Sequence, residues 1–214
     1  MISEVYNIDC MSYMATCKDK QFSLAIVDPP YGIGMGGGKL GNSKKDYKQF
    51  SGLDTEIPNQ EYFTELFRIS NNQIIWGGNY MIKYLYPTSC FIVWDKVQPE
   101  VFTLAMCELA WTSFNSPAKI YKQRIVGADE IRIAPTQKPV QLYKWLLKNY
   151  AKPGDTIFDS HAGSMSSVIA CIDGGFPITA CELDKDYYEA GKKRVMNHMA
   201  QLDCFIERPE IIWK

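Results

Sequence analysis

Short apolar runs alternate with helical patterns along this 214-residue chain, and that alternation constrains the fold more than any other feature. The runs rich in β-branched and aromatic residues are VYNI (5–8), FSLAIV (22–27), QIIW (73–76), CFIVWD (90–95), TIFD (156–159) and PITACE (177–182). Strands that alternate with helices favour an α/β fold with a mostly parallel sheet. LAWTSF and AKIYKQRI, between residues 101 and 133, predict further strands at an antiparallel edge.

Two segments predict helices with identifiable starts. PVQLYKWLLKNY, residues 139–150, has Pro139 at its first position and apolar residues at helical spacing. A second helix is expected from about Lys185 to Gln201, with Asp184 as its cap. Neither an internal repeat nor a linker is recognisable, so the sequence predicts a single domain over residues 1–214.

Composition narrows the class of protein. A chain of this length with 46% hydrophobic residues can bury one substantial core. Its seven cysteines form no CxxC pair, which argues against a zinc-type metal site and a disulfide framework. No stretch approaches 18 uncharged apolar residues and the N-terminus has no basic region, so neither a membrane span nor an export signal is expected. A reduced, cytoplasmic, metal-free protein fits best.

Basic residues are concentrated in two segments although the net charge is only −1. A charge near zero argues against a generic polyanion binder. Residues 32–50 nevertheless hold four lysines against one acid, and residues 117–152 are also strongly basic. Such runs are typically solvated helix faces and loops, so only chemistry beside them would indicate phosphate contacts.

The glycine-rich segment GIGMGG, residues 32–37, matches the GxGxxG pattern of dinucleotide-binding folds. That pattern requires a helix whose N-terminus holds the pyrophosphate, and the following GKLGNSKKD has no helical periodicity. The segment therefore favours a basic loop, and a nicotinamide dehydrogenase is a distant alternative.

A nucleoside site is indicated further along, in TIFDSHAGSMSSVIACIDGGFPITACELD. Asp159 ends a strand, Ala162 to Ser164 form a small-residue turn, and Glu182 ends the next strand 19 residues after Gly163. An acid about 20 residues past such a turn bonds ribose hydroxyls. The turn has a single clear glycine, which favours a nucleoside without phosphates; acids that simply end strands are the structural alternative.

The sequence DPPY, residues 28–31, follows the apolar run FSLAIV. Proline has no N–H, so this loop is rich in hydrogen-bond acceptors. The Asp28 carboxylate and the Pro29 carbonyl suit an exocyclic amine, and the Tyr31 ring offers a stacking face for a base. Acceptors on both hydrogens would localise the nitrogen lone pair toward an electrophile. The alternative is a proline-stiffened turn.

DPPY followed downstream by TQKP (136–139) and FDSHAGS (158–164) resembles the amino-methyltransferase family, in the motif order of its permuted β class. WGGNY (76–80), FIVWDK (91–96) and ELAWTSF (108–114) are similar to family segments of less certain role. The resemblance implies methylation of adenine N6 or cytosine N4 in DNA with S-adenosylmethionine, after the base is flipped from the duplex. It also implies a Rossmann-like methyltransferase fold, a mostly parallel twisted sheet with helices on both faces.

The resemblance assigns roles residue by residue. The catalytic loop would be Asp28, Pro29, Pro30 and Tyr31. Cofactor-binding positions would be Asp9, Cys10, Asp28, Thr136, Lys138, Pro139, Asp159, His161, Ala162, Gly163, Ser164, Glu182 and Leu183. Phosphate contacts would come from Lys39, Lys44, Lys45, Lys48 and Arg124.

Two features depart from the family pattern. His161 and Met165 stand where Phe and Gly are usual, and a methionine resists the backbone angles that a turn glycine adopts. The room between AKIYKQRI and TQKP is too short for a sizeable target-recognition domain. DPPY leans toward adenine; a cytosine-N4 or RNA enzyme, and a catalytically silent nucleic-acid binder, stay open. The family also suggests a phage or bacterial source and a homodimer.

Overall fold

A computed structural model describes residues 2–34, 54–99, 105–124, 132–134, 136–201 and 210–214. Within these ranges the strands are β1 (Ile2–Tyr6), β2 (Phe22–Val27), β3 (Ser70–Trp76), β4 (Phe91–Asp95), β5 (Cys107–Thr112), β6 (Lys119–Lys122), β7 (Ile157–Asp159), β8 (Ile178–Cys181) and β9 (Glu210–Trp213). The α-helices are α1 (Cys10–Met14), α2 (Gln60–Ile69), α3 (Val140–Tyr150), α4 (Ser166–Gly174) and α5 (Lys185–Gln201). Two 3₁₀ turns, Gly78–Tyr80 and Ile82–Tyr84, follow β3.

The strands form one mixed sheet in the order β6-β4-β5-β3-β2-β7-β8-β1-β9. β5 is antiparallel to β3 and β4, and the other pairs are parallel. The mostly parallel α/β sheet is confirmed, but its antiparallel strand lies third from the edge and not at the edge as expected. Burial explains the difference: Ala110 and Trp111 of β5 are buried, whereas β6 carries Lys119 and Lys122 and suits an edge.

Helices cover both faces of the sheet, as expected. β2 shows why, because Leu24 and Ile26 join the core beneath α3, α4 and α5, while Ala25 and Val27 join the core beneath α1 and α2. A strand buried on both faces reads as a continuous apolar run, and FSLAIV is such a run. None of the helices in the described part of the chain is long and apolar enough to cross a membrane.

Helix ends follow local capping chemistry. Pro139 is the N-cap of α3 and not its first residue, which shifts the predicted start by one position. The start and end predicted for α5 are confirmed, and the Asp184 carboxylate accepts the N–H groups of Asp186 and Tyr187. Asp9 caps α1 by accepting from Ser12, and Asn59 caps α2 by accepting from Tyr62.

The connections diverge between β2 and β7. From β2 the chain passes through α2 to β3 on one side, and from β7 it passes through α4 to β8 on the other. Ligands of open α/β sheets bind at such a switch point, outside the carboxyl ends of the strands. Asp28 follows β2 and Asp159 ends β7, so both candidate motifs lie at this crevice.

Candidate active site

The loop that follows β2 is held by carboxylates. The Tyr31 hydroxyl donates to Asp28 Oδ1 at 2.6 Å, which closes the loop on itself. Asp54 Oδ1 accepts the backbone N–H groups of Tyr31 at 2.6 Å and Gly32 at 3.0 Å. Asp54 was not predicted as a site residue; it fixes the backbone directly after the two prolines. The result is a rigid loop whose Asp28 side chain is still 23% exposed.

The Tyr31 ring lies against the glycines that follow β3. Gly77 has a φ of +68°, and a Cβ built on it would lie 2.2 Å from Tyr31 Cε1, so only glycine fits at this position. The ring also stacks on Tyr80, with centroids 5.3 Å apart and planes 20° apart. Tyr80 is 44% exposed. The sequence predicted Tyr31 alone as the aromatic of the site, and the structure adds Tyr80.

A chain of alternating charges extends from Asp28 into the protein. Lys138 Nζ donates to Asp28 Oδ2 at 2.5 Å and lies 3.0 Å from Glu108 Oε2. Glu108 Oε1 lies 2.6 Å from Lys96 Nζ. Lys96 follows β4 and Glu108 is near the start of the antiparallel β5, so the topology brings both to the carboxyl edge of the parallel strands.

These charges hold one another in the ionised form. Burial would lower the pKa of Lys138, but the carboxylates of Asp28 and Glu108 raise that pKa above its ordinary value. Burial would likewise raise the pKa of Glu108, and the ammonium groups of Lys138 and Lys96 instead lower it to about 2. Burial and the Asp28 charge raise the pKa of Tyr31 well above its usual range, so its hydroxyl stays a donor.

The predicted nucleoside site is assembled around the turn after β7. Glu182 Oε2 accepts the N–H of Gly163 at 2.7 Å, and its Oε1 accepts the N–H of Asp184 at 2.9 Å. Asp159 accepts the N–H of His161 at 3.0 Å and the Ser167 hydroxyl. Burial raises the pKa of Asp159 to about 7 and also raises the pKa of Glu182.

The turn after β7 leaves open space at Gly163. Gly163 has a φ of +49°, and a Cβ built on it would meet only the His161 carbonyl, 4.0 Å away, so its outer side faces open space. The His161 ring bonds Ser160 through Nδ1 and meets Tyr62 edge-on, and burial lowers its pKa to about 4. The ring is therefore neutral near pH 7. These residues fit an adenosine-type ligand.

Met165 takes the backbone angles of a glycine and keeps its side chain out of the turn. Its φ is +58°, in the left-handed region, and its side chain is fully buried. Gly191 of α5 makes room for it, because a Cβ there would lie 2.8 Å from Met165 Cγ. Arg194 of α5 donates to the Ser164 carbonyl at 2.6 Å and to Ser166. Helix α5 thus supports the turn from beneath.

Other predicted residues take different places. The start of α1, beyond the end of β1, holds Asp9 and the buried Cys10. Leu183 directly follows Glu182 and is exposed. Ala162 and Ser164 are buried in the turn. Thr136 is exposed, Pro139 is buried, and the Lys138 ammonium is directed to Asp28. Arg124 is exposed after β6. Lys39, Lys44, Lys45 and Lys48 lie outside the described residues.

Besides Asp54, three site residues described above were not predicted as such: Lys96, Glu108 and Tyr80. Each lies in a segment, FIVWDK, ELAWTSF or WGGNY, that resembles the family without an assigned role. A charged or aromatic side chain near the end of a strand was the sequence signal that could have identified these three residues. In the described residues, no three or more His, Cys, Asp and Glu side chains are grouped so as to hold a metal ion.

Comparison with known proteins shows the family of the chain. The family model N6_N4_Mtase, described as DNA methylase, matches residues 43–193, more than half of the chain. The matched range includes residues 136–139, the turn after β7 and Glu182, and it begins downstream of residues 28–31. A segment of 67 residues is 33% identical to the DNA adenine methyltransferase YhdJ of Escherichia coli (strain K12), covering 31% of this chain and 23% of that protein.

Solved structures share the fold. The M1.HpyAVI–SAM complex superposes with a TM-score of 0.58 at 20% identity, covering 91% of this chain and 100% of that chain. The PvuII DNA methyltransferase, described as cytosine-N4-specific, superposes with a TM-score of 0.64 at 11% identity, covering 96% of this chain and 90% of that chain. At these identities the likeness establishes the fold.

Proposed function

Because this chain belongs to the DNA methylase family, we propose that it transfers a methyl group from S-adenosylmethionine to the N6 amine of adenine in DNA. One observation carries the proposal: the acceptor-rich loop of Asp28 and the nucleoside-shaped turn of Gly163 and Glu182 flank the same crevice, at the switch point between β2 and β7. Amine methylation requires this pairing of an amine-binding group with an adjacent donor site.

The cofactor would occupy the crevice beside the turn after β7. Glu182 keeps lone pairs beyond those given to Gly163 and Asp184, and these would accept ribose hydroxyls. Asp9, Cys10 and Leu183 would lie around the adenine, and the backbone of Thr136 to Pro139 would close the pocket. When bound, S-adenosylmethionine supplies a methyl group made electrophilic by its sulfonium.

The amine would be bound by the loop after β2. Asp28 and the Pro29 carbonyl would accept its two hydrogens, which aims the nitrogen lone pair at the neighbouring site. Asp28 retains this capacity, because a carboxylate offers about four lone-pair sites and only two are used by Tyr31 and Lys138. Pro30 would stiffen the loop. A flipped base would stack on the aromatic pair of Tyr31 and the exposed Tyr80.

Several finer features belong to the same proposal. The chain would represent the permuted β class, since Asp28 precedes the cofactor turn. DNA phosphates would be contacted by Lys39, Lys44, Lys45, Lys48 and Arg124. Arg124 follows β6 and therefore lies at the carboxyl end of the parallel strands, as Asp28 does. The six cysteines in the described residues are free, which supports a reducing, cytoplasmic setting. A homodimer remains a prediction.

Identification of the methylated base tests the reaction. The protein is incubated with S-adenosylmethionine and unmethylated DNA, the DNA is digested to nucleosides, and mass spectrometry identifies the product. We expect N6-methyladenine. N4-methylcytosine would retain the site chemistry and replace the substrate, as the likeness to the PvuII fold allows. Absence of a methylated base on DNA and RNA would support the silent nucleic-acid binder.

Calorimetric titration tests the cofactor site separately. Glu182→Ala removes the proposed ribose acceptor and should weaken S-adenosylmethionine binding at least ~10-fold, or about 1.4 kcal/mol. Glu189→Ala, an exposed change on α5, is the matched control and should bind as the wild type does. Equal affinity in the two variants would contradict the assignment of Glu182.

A further inference from the structure

We propose that Lys138 and Glu108 are positioning residues for Asp28: Lys138 fixes the carboxylate that accepts the target amine, and Glu108 acts only through Lys138. This inference rests on the proposed function and adds to it, since sequence reasoning placed Lys138 in the cofactor pocket and gave Glu108 no role. It makes the pair part of the amine site.

Every proton of the Lys138 ammonium has a defined partner. An ammonium has three donors, and Nζ has three acceptors: Asp28 Oδ2 at 2.5 Å, the Tyr31 hydroxyl at 3.0 Å and Glu108 Oε2 at 3.0 Å. The Tyr31 hydroxyl then donates to Asp28 Oδ1 at 2.6 Å. Lys138, Tyr31 and Asp28 form a closed ring of hydrogen bonds, so both carboxylate oxygens are fixed in place.

The ammonium is enclosed from the other directions by aromatic rings and neighbouring chain. It lies 5.3 Å from the centroid of the Trp76 ring and 5.4 Å from that of Tyr31. The Lys138 side chain is only 4% exposed, against 23% for Asp28. Lys138 therefore approaches Asp28 from the protein side and leaves the exposed side of the carboxylate open for an amine.

Glu108 provides the counter-charge that keeps Lys138 in place. Its Oε1 pairs with Lys96, and its Oε2 pairs with Lys138. Oε2 also lies 3.3 Å from the Tyr31 hydroxyl, but the single proton of that hydroxyl has a nearer acceptor in Asp28 Oδ1, at 2.6 Å. Without Glu108, the Lys138 ammonium would keep two of its three partners and gain freedom to turn. We infer that the rotamer of Asp28 would then be held less strictly.

A stability role alone explains this arrangement poorly. Burying ions costs several kcal/mol each, and buried ion pairs are often no more stabilising than apolar residues of similar volume. Three charges placed directly behind the acceptor of the proposed reaction are better explained by geometry that the reaction needs. At metal sites, removing an outer partner that orients a ligand typically costs ~10- to 100-fold in affinity or activity, and we expect an effect of that order here.

Single-turnover methyl transfer, at saturating DNA and S-adenosylmethionine, tests the inference in the full chain. Lys138→Met should slow transfer ~100-fold and Glu108→Gln ~10-fold, while S-adenosylmethionine affinity stays within ~3-fold of wild type. The double variant should be no slower than Lys138→Met, because Glu108 acts through Lys138. Thermal unfolding of each variant shows whether it is folded, so a lower transfer rate can be separated from a failure to fold. Glu108→Gln is the milder change and keeps the test valid if Lys138→Met does not fold.

Matched controls come from ion pairs away from the crevice. Glu65 pairs with Arg68 at 2.7 Å and has a side-chain exposure of 22%, close to the 21% of Glu108, so Glu65→Gln should transfer at the wild-type rate. Lys144 pairs with Asp173 at 2.7 Å, and Lys144→Met is the corresponding control for Lys138→Met.

The outcomes separate the two proposals. An active wild type with a full rate in Lys138→Met, or with only a weakened cofactor affinity, overturns the positioning role and leaves the proposed function intact. Effects of the two single changes that multiply in the double variant overturn the action of Glu108 through Lys138. A wild type that transfers no methyl group removes the proposed function and this inference together.

Discussion

At the scale of single residues, Gly77 decides where the aromatic ring of the site can lie. Tyr31 packs so closely on this glycine that a methyl group would overlap ring atoms Cε1 and Cδ1. Displacing the ring would also move its hydroxyl, which joins Asp28 and Lys138. The absence of a side chain at Gly77, directly after β3, thus sets the geometry of the loop that follows β2.

We predict that Gly77→Ala reduces the rate of methyl transfer by on the order of 10², because misplacement of a positioning group by about 1 Å has that effect. Single-turnover assays at saturating substrates measure it. Gly175→Ala is the matched control, since Gly175 has a nearly identical φ of +72° and nothing within 4 Å of its added Cβ. Both changes carry left-handed strain of about 1–2 kcal/mol. Similar activity in the two variants would contradict the role given to Gly77.

At the scale of secondary-structure elements, α5 compensates for the departure at Met165. The sequence places a methionine where the family usually has a turn glycine, which tolerates positive φ more readily. The structure shows the accommodation: Gly191 leaves space for the methionine, and Arg194 bonds the turn. Whether the cofactor binds is a separate question that the calorimetric titration answers.

Filling that space should disturb the turn. We predict that Gly191→Val lowers the free energy of unfolding by about 1–3 kcal/mol through overpacking against Met165, and weakens S-adenosylmethionine binding. Urea denaturation and calorimetry measure the two effects. Adding Met165→Ala to Gly191→Val should restore part of both, since the smaller side chain leaves room for valine. A Gly191→Val protein as stable as the wild type would show that the contact is unimportant.

Elements with strong local signals were predictable from sequence. The run FSLAIV coincides with β2, and α5 coincides with its prediction because Asp184 supplies a cap. The five-residue α1 is too short to show a helical period, and β9 pairs with β1 across some 200 residues. Helix α2 was readable, since Asn59 caps a segment with apolar residues at helical spacing, but it was not recognised. Strand order depends on burial across the whole sheet, which one segment does not reveal.

The same limit applies to the site. DPPY, the turn and Glu182 were identified because each is a local pattern, and the Gly163–Glu182 spacing predicted two residues that are in contact. Lys138, which bonds Asp28, and Glu108, which bonds Lys138, come from far along the chain. Sequence patterns pointed to candidate reacting groups, and only the fold shows which distant charges surround them.

At the scale of the whole molecule, the buried Asp159 makes stability depend on pH. Burial raises its pKa from 3.8 to about 7 in the folded state, so the unfolded chain releases the proton first as pH rises. Stability is therefore lost between about pH 4 and pH 7 and stays reduced above that range. Glu108 has the opposite effect, because its pKa is lowered from 4.5 to about 2 in the folded state. The stability that it contributes is present above about pH 4.5 and is lost as the pH falls toward 2.

We predict that Asp159→Asn gains stability relative to the wild type as pH rises. The difference in the free energy of unfolding should change in favour of the variant by on the order of 2–4 kcal/mol between pH 4.5 and pH 8, because asparagine has no proton to release. Urea denaturation at both pH values measures it. A difference that is independent of pH would contradict the raised pKa of Asp159.

In the proposed reaction, Asp28 accepts the hydrogens of the amine that is methylated. The measurement that tests this role most directly is single-turnover methyl transfer by Asp28→Asn, with S-adenosylmethionine and DNA saturating. Asp155→Asn, a change in the turn before β7, is the control. We expect Asp28→Asn to transfer the methyl group at least ~100-fold more slowly than the wild type, and Asp155→Asn to transfer it at the wild-type rate. The affinity for S-adenosylmethionine should stay within ~3-fold of the wild type in both variants. Transfer by Asp28→Asn at the wild-type rate would contradict this role of Asp28.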